Sequence, residues 1–536
     1  MLAMAMGVLA LTGLTGLTGL SGALPQTPNP DNLVNPVKNT SAVASISPAG
    51  GAAVHKYSRL LFGYFIEHFD TVVYGGIYDP ASPLSDEDGF RKDVIDALRD
   101  AKCSIVRWPG GCFSQAYHWK NGVGPKREPA WDRAWRCEDP NTFGTDEYVK
   151  WCCKVGCEPY ICTNAGTGTG EEMGEWVEYC NLPEAGWGRR RVANGHREPY
   201  AVKYWNIGNE NGGGHEIARR SAEEWGPLVR ESTKMMRAVD PSLFIVGAGS
   251  PITEKWNRSL LESAGRLIDM ISVHSYPDKL LQMDNPSPYL KCMMFTDRAE
   301  NLIANVSRML DESGYGGGKV GIAIDEWNLR SWHHPGFGKF GRGEAMDVAA
   351  RRRNDRAATY TMADAIYAAT FLNACMRHGD IVKMACFAPV VNARGAIFVH
   401  PKGIVKRTTY HVFWMYANLA EPNVVPVELK CGDITDGKKS VPVLDAVLTQ
   451  SDDGKRRVLM VANKSPDKAV QLDVLAVAGR PPYRATVLSG DSPDVYNDIG
   501  TENRVVPQKT QLPVADGKIT LPPHSVAAIT LVANPS

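Results

Sequence analysis

Two glutamates stand directly after short apolar runs of the kind that form parallel strands. KYWNI (203–207) is followed by Gly208-Asn209-Glu210, and GIAI (321–324) by Asp325-Glu326-Trp327-Asn328. Carboxyl groups at the ends of two different strands can face each other across a barrel mouth, where the catalytic groups of such folds collect. One can then exchange a proton while the other attacks the reacting carbon. A pair about 5–5.5 Å apart suits glycosidic hydrolysis with retained configuration, whereas about 6.5–9.5 Å leaves room for the water of an inverting reaction. A lone strand-end glutamate is ordinarily a surface or N-cap residue. Two of them, flanked by Asn and Trp, call for another explanation.

The elements that must position them form a repeating pattern. Apolar runs at Leu60–Phe65, Ser104–Trp108, Glu158–Cys162, Val202–Ile207, Phe244–Gly247, Met270–His274, Val320–Ile324 and Ile381–Phe387 alternate with helical patterns, such as Ala222–Val239, Arg298–Glu312 and Asp355–Arg377. Eight such alternations predict an α/β chain folded as a (β/α)₈ barrel over residues 56–405. A doubly wound sheet is the competing arrangement, but no glycine-rich phosphate loop follows the first strand. From Val441 onward strands are separated only by turns, which predicts a C-terminal all-β, jelly-roll-like sandwich over 406–536. All 13 tryptophans lie at or before Trp414, and beyond Tyr416 the aromatic residues are Tyr483 and Tyr496. Residues 24–55 read as a linker with a first sandwich strand near Val43–Ser47.

The chain's 536 residues are enough for two or three domains. An apolar content of 43% with 22% charged residues excludes a disordered or fibrous chain. Basic and acidic residues number 59 each, so a net-neutral chain is not expected to bind nucleic acid or anionic membranes. Residues 1–23 are uncharged and mildly apolar and end in small residues, resembling a secretory signal that lacks a basic start. That reading predicts a secreted or periplasmic protein with no membrane span in the mature chain. Eight of the 12 cysteines fall between Cys103 and Cys180 without zinc-ligand spacing, so no metal site is expected. Cys103, Cys162 and Cys386 sit in strand-like runs and read as buried free thiols.

Longer motifs carry a resemblance. YFIEHFDTVVYGGIYDP (64–80), RWPGGCFSQAYHWKNGVGP (107–125), VKYWNIGNE (202–210), AVDPSLFIVGAGS (238–250), ISVHSY (271–276) and DEWN (325–328) occur in the order seen in glycoside hydrolase family 51. The C-terminal runs NDIGTENRVVP (497–507) and LPPHSVAAITL (521–531) extend the similarity over nearly the whole chain after the leader. That family consists mainly of retaining α-L-arabinofuranosidases. The resemblance implies a carbohydrate substrate, no cofactor and a homo-oligomer.

Carried over by motif, Glu210 resembles the general acid/base, which calls for a raised pKa, and Glu326 the nucleophile. Asn209 would bond the sugar hydroxyl beside the anomeric carbon. Tyr276, close to His274, would donate to Glu326, and Arg107 would support the nucleophile through charge-assisted bonds. Glu67 would grip outer furanose hydroxyls. The Pro109-Gly110-Gly111 turn would bring Cys112 and Phe113 against the sugar. Departures gather around the sugar pocket. Asp70-Thr71 stand in place of Gly-Arg, Pro389 in place of a sugar-contacting Gln, and Arg330 in place of a Trp, with Trp332 nearby. The alternatives are the same machinery acting on another furanoside or a β-glucan, or a non-catalytic carbohydrate-binding protein. Retention of both glutamates argues against the last. A nucleotide-dependent transferase lacks its phosphate-cradling loop.

Overall fold

The computed structural model describes residues 43–277, 286–331, 355–478 and 481–532. Eight parallel strands close into a barrel: Gly63–Phe65, Ile105–Trp108, Glu158–Thr163, Tyr204–Ile207, Phe244–Ala248, Met270–Ser275, Gly321–Trp327 and Val382–Phe387. Each overlaps one of the eight expected runs. They are almost wholly buried, which is why they read as near-continuous apolar segments. The first is shorter than expected because Arg59–Phe62 form a 3₁₀ turn, with the Ser58 hydroxyl accepting from the Leu60 amide at 3.2 Å.

Helices Ala222–Val239 and Arg298–Glu312 have the expected bounds. Ser221 and Glu224 close a capping box at the start of the former. The expected helix Asp355–Arg377 is divided into a 3₁₀ turn, Ala357–Thr359, and a helix, Met362–Arg377, because Thr361 and Asp364 form a capping box between them. Alternation along the seventh strand then separates neighbours. Trp327 turns outward and stacks on Phe371 of this helix at 3.9 Å between ring centroids, so Glu326 is left to the barrel mouth.

The strand-rich part is a sandwich of a seven-stranded and a five-stranded sheet. Its core includes Leu444, Leu448, Leu459, Leu472, Ile519 and Leu531. The N-terminal strand Ala44–Pro48 joins it, antiparallel to Val427–Lys430 and parallel to Val470–Asp473. The boundary differs from the expected 405–406. Helix Thr408–Leu419 follows that point and packs on the barrel, where the Tyr416 hydroxyl donates to the Asn373 side chain at 2.7 Å. The change to strand-only chain therefore comes at Asn423. No described helix is long and apolar enough to cross a membrane. All 12 cysteines are free thiols, with Cys103, Cys162 and Cys386 buried as expected.

A charged clamp joins barrel to sandwich. Arg377 donates to Glu300 at 2.7 Å and to Asp445 of strand Leu444–Gln450 at 3.1 Å, and His378 reaches Glu300 at 2.6 Å. Burial pushes the Glu300 carboxyl up, but His378 and Arg377 outweigh it and hold the group down at about 2. A carboxyl depressed below its unfolded value of about 4.3 contributes stability above that pH, and the contribution is lost as pH falls towards about 2. Glu300→Gln should therefore flatten the acid limb of the stability–pH curve, read from denaturant midpoints at a series of pH values. An unchanged acid limb would remove this clamp from the account.

Candidate active site

Parallel register places the candidate residues. On the sixth and seventh strands His274 pairs with Glu326 and Ser275 with Trp327, so an imidazole lies beside one of the two glutamates. The other, Glu210, follows the fourth strand in a tight turn. Gly208 has φ +72° and Glu210 itself has φ +42°, a left-handed conformation that costs a non-glycine residue free energy. The turn is tied down from both sides. Gln115 donates to the Asn209 carbonyl and accepts from the Asn211 side chain at 2.9 Å, and the Asn209 amide donates to Asn211 Oδ1 at 2.9 Å.

Glu326 is held at both oxygens. Arg107, wholly buried at the end of the second strand, donates from Nη1 to Oε1 at 2.5 Å, and the Tyr276 hydroxyl donates to Oε2 at 2.8 Å. Arg107 also donates to Asn209 Oδ1 at 2.8 Å, and its Nε lies 3.2 Å from Asp325 Oδ2. A side chain at Gly111 would be a clash, since an added Cβ would stand 2.8 Å from Glu326 Oε1. The absence of one lets the Pro109-Gly110-Gly111 backbone lie against the carboxylate.

His274 links the two glutamates. Its Nδ1 is 2.7 Å from Glu210 Oε1 and 3.6 Å from Glu326 Oε2. Those facing oxygens are therefore at most about 6.3 Å apart, a limit that admits the roughly 5–5.5 Å of a retaining pair. The second imidazole, His215, reaches Glu210 Oε2 at 2.8 Å. Burial pushes Glu210 up, but hydrogen bonds from His215 and His274 outweigh it and hold the carboxyl well below the usual range. Bonds to Glu210 and Glu216 in turn push His215 up to about 10. Burial works against the charged form of His274, but the carboxylates of Glu326, Asp325 and Glu210 raise it well above an ordinary imidazole. This is the opposite of the raised carboxyl expected for Glu210.

The same architecture extends to known proteins. Residues 97–292 match the family model described as alpha-L-arabinofuranosidase 1 domain, and residues 325–525 that of the alpha-L-arabinofuranosidase C-terminal domain. A probable alpha-L-arabinofuranosidase C of Aspergillus clavatus is 33% identical over 517 residues, covering 90% of this chain and 96% of its own. The chain belongs to the α-L-arabinofuranosidases of glycoside hydrolase family 51. An intracellular exo-alpha-(1->5)-L-arabinofuranosidase 1 of Bacillus subtilis is 31% identical, covering 77% of this chain and 83% of its own. The alpha-L-arabinofuranosidase of Thermotoga maritima, solved with arabinose, superposes with a TM-score of 0.79 at 32% identity, covering 92% of this chain and 100% of its own. A family 51 alpha-L-arabinofuranosidase of Bifidobacterium longum reaches 0.81 at 29% identity, covering 92% and 100%.

For a family 51 glycosidase, the remaining expected residues fall into place unevenly. Glu67 is buried at the mouth, but its Oε1 accepts from the Phe113 amide at 2.9 Å and from Trp135 Nε1 at 3.0 Å. Burial and the nearby Glu326 charge push it up to about 8, so at neutral pH it is largely a protonated donor. Cys112 donates its thiol to Glu216 Oε1 at 3.2 Å. Burial and the adjoining carboxylates push that thiol well up. Trp332 lies outside the described residues. Arg330, which stands in place of the family's Trp, is engaged inside the protein. It is buried and donates to both oxygens of Asp364 at 2.7 Å, to the Ser287 hydroxyl at 2.6 Å and to the Thr359 carbonyl at 2.9 Å. Arg330→Ala should therefore cost about 3–5 kcal/mol, because it strands a buried Asp364. Denaturant unfolding reads this directly, and a midpoint within error of the wild type would mean that the Arg330–Asp364 pair carries no stability.

Sequence reasoning missed four groups. Asp325, wholly buried, joins Arg107 to His274 Nε2 (3.3 Å) and accepts from Tyr160 at 2.8 Å. Its only signal was its place before Glu326. Trp135 packs at a tilt against Phe69, with ring centroids 5.0 Å apart, and reaches Glu67 from the hairpin Ala130–Asp139 at the mouth. His215 and Glu216 complete the set.

Proposed function

We propose that the chain releases terminal α-L-arabinofuranosyl units from arabinose-containing polysaccharides or oligosaccharides, with Glu326 as nucleophile and Glu210 as acid/base. The carrying observation is that both carboxylates lie against His274 Nδ1 at the mouth, at 2.7 Å and 3.6 Å, so that their facing oxygens are at most about 6.3 Å apart. Glu326, aimed by Arg107 and Tyr276, attacks the anomeric carbon as the glycosidic C–O bond breaks. The departing oxygen takes its proton from Glu210, and the glycosyl-enzyme ester is then hydrolysed by water that Glu210 deprotonates.

The low resting proton affinity of Glu210 fits this cycle. His215 is more than half exposed, and a leaving group entering beside Oε2 displaces it, removing one of the two donors that keep Glu210 ionised. Asn209, oriented by Arg107, Glu216 and Asn211, bonds the hydroxyl next to the anomeric carbon. Glu67 serves the outer hydroxyls as a donor, and Trp135 offers a face to the ring.

A second sugar is favoured by one feature. Pro389 follows the eighth strand between residues bonded to the seventh and first strands, and it has no amide to offer a sugar hydroxyl. A panel of nitrophenyl glycosides decides this. The α-L-arabinofuranoside should have the highest kcat/KM; preference for another furanoside or a β-glucoside would overturn the sugar assignment. For localisation, the leader-like composition of residues 1–23 supports export, checked by the N-terminus of the protein recovered outside the cell. A homo-oligomer follows from the family resemblance, and light scattering reads it.

A further inference from the structure

Beside the acid/base lies a group of side chains whose types together make a metal-ligand set. Cys112 Sγ, a ring nitrogen of His215 and a Glu216 carboxylate oxygen all lie within 4.8 Å of one another. Sγ is 3.2 Å and Nε2 3.4 Å from the same Glu216 Oε1. The Glu216 side chain is completely buried, and its other oxygen, Oε2, has no hydrogen-bond partner among the described residues. A buried carboxylate oxygen left unsatisfied is costly, and a cation is the partner that would relieve it. His215, 55% exposed, leaves one side of the group open to solvent.

The donor set narrows the ion. One sulfur, one imidazole nitrogen and one carboxylate are the ligand types of zinc, and three protein ligands leave its fourth tetrahedral position open. Calcium and magnesium want oxygen ligands throughout. The charges also match: a thiolate and a carboxylate together balance a divalent ion. Binding requires that the Cys112 thiol proton be released to solvent as the S–metal bond forms.

We propose that Cys112, His215 and Glu216 form a site for a thiophilic divalent cation of the zinc class, and that its occupancy blocks hydrolysis. Each ligand also serves the sugar site. His215 turns from Glu210 Oε2 to the ion, and Glu216, which accepts from Asn209 Nδ2 at 2.9 Å, is drawn away from it. Cys112 follows the turn that lies against Glu326. The blocking half rests on the roles proposed for Glu210 and Asn209; the binding half does not.

The test titrates reduced, full-length protein with cobalt(II). One equivalent should produce a thiolate-to-cobalt charge-transfer band in the near ultraviolet, and one equivalent of zinc should abolish it. Cys112→Ser should lose the band, His215→Ala should weaken cobalt binding by about tenfold or more, and Cys153→Ser, which alters an exposed thiol elsewhere, should leave it intact. No band in the wild type, or a band that survives Cys112→Ser, overturns the site. His215→Ala alters an exposed side chain and keeps the test decisive should Cys112→Ser fold poorly. Zinc should also inhibit hydrolysis of an aryl arabinofuranoside reversibly, with chelator restoring the rate. A cobalt band without zinc inhibition would keep the ion site and overturn the blocking.

Discussion

Glu326→Ala should abolish turnover on every substrate, by roughly 10⁴–10⁶-fold, because it removes the carboxylate on which the glycosyl ester must form. The fold should survive, since Arg107 keeps Asp325 and Asn209 as partners. The variant leaves a gap lined by the donors that held the carboxylate, Arg107 Nη1 and the Tyr276 hydroxyl. Azide is an anion small enough to enter it. With an aryl arabinofuranoside, azide should restore part of the turnover, its nitrogen bonding the anomeric carbon as the phenolate leaves, to give a glycosyl azide of inverted configuration. Near-native activity in Glu326→Ala would mean that the nucleophile lies elsewhere.

Glu210→Ala should divide substrates by their leaving groups. A nitrophenolate departs without a proton, so the first step should persist on aryl glycosides. Water then lacks its base, the glycosyl-enzyme accumulates, and kcat and KM fall together. A sugar leaving group needs the proton, so kcat/KM on a natural oligosaccharide should fall further than on the aryl substrate by about 10²–10⁴-fold. A merely structural Glu210 would lower both substrates equally and the melting temperature with them. His274 retains Asp325 in this variant, so no imidazolium is left without a counterion.

The parts of the site that were legible in the sequence were those set by strand ends. Glu210, Glu326, Arg107 and Tyr276 each follow or end an apolar run, and barrel geometry alone brings such positions to one mouth. His215 and Glu216 were not legible, because they sit in the glycine-rich run GNENGGGHE, where no periodicity dictates the path. The proton arrangement was hidden for the same reason. A raised Glu210 follows from its chemistry alone, but the two imidazoles that lower it come from separate loop and strand positions. Helix Thr408–Leu419 escaped notice because TTYHVFWMYANL is apolar on nearly every side and carries no amphipathic stripe. Arg330 reads from the sequence only as a departure where the family has a Trp; that its guanidinium bonds Asp364 is supplied by the tertiary fold alone.

The most direct measurement of the central claim is proton NMR of the first-formed product from an α-L-arabinofuranoside, recorded before mutarotation. Double displacement through an ester on Glu326, held at both oxygens by Arg107 and Tyr276, predicts that the α-anomer of free arabinofuranose should appear first and the β-anomer should grow in afterwards. A β-anomer appearing first would contradict the account, because it requires single displacement by water and leaves Glu326 without a covalent role.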